Sequence, residues 1–159
     1  MADLDSIKET LRAVVDAGQA HIGFEASVDG LPWERTGDAA PEVPHTIFTL
    51  VWHMDACMRD IIDWVEAEAY RERPYPTGYW PGHPRPAAES EWRVTVEQAK
   101  RSIARVRDWV DSRDLLAPLE RNPDHTVARQ ILVVGKHNSY HIGQIVAHRM
   151  AIGLPVRDF

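Results

Sequence analysis

The sequence predicts an all-α protein, a four-helix bundle with long connecting loops. Three observations carry that expectation. Eleven prolines leave four long proline-free windows, each window holds an apolar stripe at alternating steps of three and four, and none shows sustained period-two alternation. The windows span residues 1–31, 45–73, 87–117 and 124–154. Each has room for a helix of some 20–25 residues with caps, at ~1.5 Å rise per residue. Proline inside a helix costs about 3 kcal/mol, so prolines spaced this way read as punctuation between helices.

The first stripe is Leu4, Ile7, Leu11, Val14, Gly18 and Ile22. A connection rich in glycine, proline and charge follows over Val28–Val43. The second stripe is Ile47, Val51, Met54, Met58, Ile61 and Val65, with Pro44 suited to the first turn of its helix. The next connection, Tyr70–Pro86, holds five prolines together with Tyr75, Tyr79 and Trp80. Aromatics on so long a loop suit either the roof of a pocket or packing over one end of the bundle. The third stripe is Trp92, Val96, Ala99, Ile103, Val106 and Val110. The fourth is Val127, Ile131, Val134, Asn138, His141, Ile145, His148 and Ile152, and Gly153 followed by Pro155 gives it a stop.

Composition bounds the function. With 159 residues, the chain reads as one domain over 1–159. Its formal net charge of -6 is the opposite of what nucleic-acid binding requires. No apolar run approaches the ~20 residues of a membrane span. Met1–Asp5 is acidic and lacks a signal-peptide pattern, and a single cysteine, Cys57, excludes an intrachain disulfide. The expected setting is the cytoplasm.

The fourth stripe is interrupted by polar side chains. At 100° per residue, His137, His141 and His148 fall within about 40° of one another, on the face shared with Val134 and Ile145. A buried imidazole with an unmet ring nitrogen costs roughly 1–3 kcal/mol, so several inward histidines need a reason. Metal binding supplies one. His137 and His141 form an i,i+4 pair, the spacing of helical two-histidine zinc sites. The third ligand has to come from another helix, and His53, at the border of the second stripe near Leu50, Cys57 and Trp64, is the candidate. Three neutral imidazoles suit Zn, Ni or Fe and leave positions for water or substrate. Cys57 reads more simply as a small buried hydrophobe than as a ligand or nucleophile. His148, two turns beyond His141, is too far to share the ion. His21, His45, His83 and His125 fall near helix ends or in loops, where solvent contact is the simplest expectation. Gln144 can orient a ligand imidazole or bond another helix, as can the inward Asn138. Gly143 allows close helix packing, and Tyr140 belongs on the outside or at a dimer interface. Lys100-Arg101 reads as a solvated face able to attract an anionic thiol.

The segment His137-Asn138-Ser139-Tyr140-His141-Ile142-Gly143-Gln144-Ile145 resembles the fourth-helix signature of the DinB-like superfamily, which includes the YfiT-like proteins. Gly78–Pro81, followed by an acidic segment and Trp92, resembles the loop before the third helix in many members, and the likeness spans essentially the whole chain. It implies the same bundle and a divalent ion, commonly zinc or nickel, on His53, His137 and His141. It also implies a homodimer. Characterised relatives include S-transferases that use bacillithiol or mycothiol, a mycothiol-dependent maleylpyruvate isomerase and metal-dependent hydrolases, while other members have no known activity. The preferred expectation is therefore a metal-dependent enzyme of the low-molecular-weight-thiol S-transferase type acting on a small molecule. A metal-dependent hydrolase, and a non-catalytic metal-binding module, are the alternatives.

Overall fold

In a computed structural model the described residues are 4–16, 19–41 and 43–156. Four long helices form the bundle: α1 (Leu4–Asp16), α3 (Ile47–Glu66), α4 (Glu89–Ser112) and α5 (Val127–Ala151). A one-turn helix, α2 (Phe24–Val28), precedes the first long connection. Short 3-10 turns at Trp33–Arg35 and Thr77–Tyr79 lie within the two connections.

The side-chain pairings fix the helix directions. Asp16 bonds Arg107 while Arg12 bonds Asp111, so α1 and α4 are antiparallel. His53 meets His137 and Trp64 meets His125, so α3 and α5 are antiparallel. Asp55 accepts from Ser102 and Glu66 from Trp109, so α3 and α4 run the same way. A parallel pair of consecutive helices requires a crossover, and residues 67–88 supply it.

The core is filled by the predicted stripes. Ile47, Leu50, Val51, Met54, Met58, Ala99, Val106, Val110, Ile131, Val134 and Ile145 are buried, with Phe48 and Trp109 the largest side chains among them. Asp55, buried between α3 and α4, is satisfied by the Ser102 hydroxyl at 2.7 Å and by Arg59 at 2.8 Å. At Gly135 helix α5 approaches α1 so closely that a Cβ would fall 2.2 Å from Val14 Cγ1. This close approach is at Gly135 and not at Gly143, where a Cβ would meet nothing within 4 Å. Buried Arg149 donates to the carbonyls of Ser27, Asp29 and Leu154, tying the end of α5 to α2.

Several local expectations are corrected. Helix α1 has 13 residues, so Ile22 lies beyond it, and Gly18 is outside the described residues. Leu4 and Ile7 are exposed, because α1 passes the end of α4 one turn before the Lys8–Asp111 pair. Helix α3 begins after Pro44, with Thr46 as its cap: the Thr46 hydroxyl accepts the Thr49 N–H at 3.2 Å. A small antiparallel ribbon, β1 (Pro118–Leu119) and β2 (Asn122–Thr126), joins α4 to α5 where no strand was expected. Two short strands containing Pro118 and Pro123 are too brief to show an alternation. Helix α5 ends as expected, with Gly153 at φ 76°.

Candidate metal centre

The three histidines singled out by pattern converge between α3 and α5. His53 projects from α3 between buried Leu50 and Met54, and His137 and His141 project from one face of α5. The Nε2 atoms of His137 and His53 lie 3.3 Å apart, and those of His141 and His137 lie 3.1 Å apart. The ring centroids of His53 and His141 are 4.8 Å apart and edge-on.

The other ring nitrogens decide what meets there. His53 Nδ1 lies 2.9 Å from the Tyr79 carbonyl, which can only accept, so Nδ1 carries the proton and Nε2 a lone pair. His141 Nδ1 lies 2.6 Å from Gln144 Oε1. The Gln144 amide nitrogen is turned to the Tyr140 hydroxyl at 3.3 Å, so its oxygen accepts from Nδ1. His141 Nε2 is again a bare lone pair. At most one proton, on His137, is available to three nitrogens that face each other. Burial pushes both His137 and His141 down to about 4, reinforced by the neighbouring imidazoles, and burial also lowers His53 against the opposing pull of the Tyr79 carbonyl. At neutral pH the cluster is three neutral imidazoles, with Nε2 of His53 and Nε2 of His141 both turned to Nε2 of His137. A cation is what that arrangement accommodates. In a tetrahedral zinc shell, with Zn–N near 2.05 Å, neighbouring nitrogens stand about 3.3 Å apart, as they do here.

The crossover loop finishes the site. Trp80 stacks on His53 at 3.9 Å with the planes 2° apart, and His45 stacks on the same indole at 3.9 Å. Asp60, two turns after His53 on α3, accepts from the Tyr70 hydroxyl at 3.0 Å and the Tyr79 hydroxyl at 2.9 Å. That clamp seats the Tyr79 carbonyl on His53. Burial and Asp60 raise both phenols above their ordinary range, so they remain donors. Arg73 lies 3.7 Å from Asp60. Sequence reading missed Asp60. Its signal was present: His53, Cys57 and Asp60 follow the i, i+4, i+7 spacing of one helix face.

Cys57 stands beside the cluster. Single ligand atoms of His53, Cys57 and His137 all lie within 4.8 Å of one another, so this His-His-Cys group can hold a metal ion. Burial, with Asp60 nearby, pushes the metal-free thiol up to about 12, which makes it inert as a nucleophile.

The remaining histidines have partners of their own. His148 is fully buried and its Nε2 bonds the Asp38 carbonyl at 2.9 Å, apart from the cluster. His21 bonds Ser139 at 2.9 Å and His125 bonds Gln130 at 3.2 Å, and both are half-buried; His83 is exposed, as expected, with one ring nitrogen on the Arg85 carbonyl at 2.7 Å. Tyr140 is exposed yet reaches the centre, edge-on to His141 at 5.1 Å. Asn138 is buried, with its amide nitrogen on Met58 Sδ at 3.3 Å. Of the loop aromatics, Tyr75 is exposed and contributes no roof. Lys100 pairs with Glu25 at 3.5 Å.

A helical bundle with imidazoles from two of its rods facing one point defines a class of metal-site scaffold. Residues 5–145 match the family model of the DinB superfamily, and the chain belongs to that superfamily. Neither the curated proteins nor the solved structures give a significant match. Among the described residues no helix is long and apolar enough to cross a membrane.

Proposed function

We propose that this chain binds a divalent ion, zinc or nickel, through His53, His137 and His141, and transfers a low-molecular-weight thiol to a small electrophile. The observation that carries the metal reading is His137 Nε2 lying 3.3 Å from His53 Nε2 and 3.1 Å from His141 Nε2, with the tautomers of His53 and His141 set by outside acceptors. When bound, the ion supplies Lewis acidity, which favours the thiolate form of a thiol. The chain's own groups do the rest. The Tyr79 carbonyl and Gln144 orient two of the rings, and Trp80 covers one face of His53 and excludes water from it. The thiol step draws its support from the family resemblance.

The test is incubation of metal-loaded protein with bacillithiol, mycothiol or glutathione and monochlorobimane. Conjugation that a chelator abolishes is expected with one of the thiols. No conjugation with any of them overturns the thiol reading, and chelator-sensitive cleavage of chromogenic esters or amides would assign hydrolysis in its place.

The same proposal includes a homodimer, formed by the outer face of α5. Leu132, Val133, Tyr140 and Met150 are exposed there, along a strip that also carries Gly143 and Ala147. Light scattering of Leu132→Lys/Met150→Lys protein is expected to give a monomer where the native chain gives a dimer.

A further inference from the structure

The shell has a place for a fourth protein atom. Cys57 follows His53 by one turn on the same face of α3, and its Sγ lies 3.6 Å from His53 Nε2. With Zn–N near 2.05 Å and Zn–S near 2.3 Å, a tetrahedral ion sets neighbouring nitrogens about 3.3 Å apart and a nitrogen and sulfur about 3.6 Å apart. Three of the six edges have such lengths: His53 to His137 at 3.3 Å, His137 to His141 at 3.1 Å, and His53 to Cys57 at 3.6 Å. The sulfur is 3.7 Å from His53 Nδ1 as well, so it rests beside the ring and off the Nε2 lone-pair axis.

We propose that Cys57 is the fourth protein ligand, giving a shell of three imidazole nitrogens and one thiolate sulfur. The inference rests on the three-histidine reading above. It supports the zinc or nickel proposed above over oxygen-seeking magnesium and calcium. On ligation the S–H bond of Cys57 is replaced by a sulfur–metal bond, the proton passes to solvent, and no electron is transferred. In the thiol reaction proposed above, an incoming thiol would take the position of Sγ and pass its proton to the displaced Cys57 thiolate.

Cobalt(II) is the probe, read on the full chain in native, Cys57→Ala, Cys57→Ser and His53→Ala forms. Cys57 is the only cysteine, so any sulfur-to-cobalt charge transfer has one source. The native protein is expected to show the visible bands of tetrahedral cobalt together with an intense near-ultraviolet charge-transfer band. Both Cys57 variants keep the visible bands and lose the charge transfer. Their zinc affinity falls by at least the roughly 10–100-fold that loss of an outer-shell partner causes. Thermal melts of the metal-free variants, unchanged from native, show that folding is intact. Visible bands without charge transfer in the native protein overturn ligation by Cys57 and leave the three-histidine reading standing. Native protein that gives no cobalt spectrum overturns both.

Discussion

Helix α5 carries two kinds of buried histidine within two turns of each other. His148 is fully buried, and one ring nitrogen bonds the Asp38 carbonyl at 2.9 Å while Nδ1 has no partner. His141 is nearly as buried, and its Nδ1 donates to Gln144 at 2.6 Å. Each ring has one nitrogen on an oxygen acceptor. What differs is the company of the second nitrogen. At His148 no polar group meets it; at His141 it faces His137, which in turn faces His53. Burial alone therefore does not mark a ligand. What makes His141 a candidate is a ring nitrogen turned to a second imidazole that in turn meets a third, a donor set that suits a zinc-class ion.

The largest effect that can break this contrast is on metal content. His53→Ala and His141→Ala are expected to lose stoichiometric metal in elemental analysis, while His148→Ala retains it. His148→Ala should instead melt early, since emptying a fully buried ring site costs roughly 2–4 kcal/mol. Metal retained by both triad variants would put the ion elsewhere.

Metal addition sharpens the contrast next. An ion at 100 times its dissociation constant stabilises by about 2.7 kcal/mol. For a chain of this size that raises Tm by roughly 5–10 °C, and a chelator reverses it. Calorimetry should find the increment intact in His148→Ala and absent in His53→Ala.

The pH dependence of the metal-free protein follows in size. His137 and His141 sit near 4 in the folded state against 6.5 when unfolded. Between those values the unfolded chain binds more protons, so stability is full above about pH 6.5 and declines as pH falls toward 4. Urea midpoints across that window should show a shallower decline in His137→Ala/His141→Ala than in the native chain.

The smallest effects are at the outer partners. Gln144→Leu and Asp60→Asn should weaken zinc binding by about 10–100-fold, measured by competition with a chromogenic chelator, with little change in the metal-free Tm.

Much of the centre was legible from residue types at fixed spacing. His137 and His141 share a face because four residues bring a helix nearly full circle, and His53 borders a stripe whose apolar members had to face the same core. The seat of Tyr79 was not legible, because its contribution to His53 is a backbone carbonyl, which every residue possesses. Tyr140 is exposed, as its helical angle predicts, but its edge contact with His141 was not legible for a related reason. An exposed side chain can still touch a buried ring at the rim, and helical angle alone does not distinguish rim from exterior.

By itself the sequence determined four amphipathic helices, their proline boundaries and which histidines share an inward face. These are local properties, set by the period of the helix and by the exclusion of proline from its interior. Only the tertiary structure decided that α3 and α4 run parallel, that the crossover loop lands on His53, that Asp60 clamps it, and that Cys57 rests beside the three imidazoles. Apart from Cys57 beside His53, those outcomes depend on groups 10 to 84 residues apart in the chain meeting in space. Their pairing is chosen by packing of the whole bundle and leaves no periodic trace along the chain.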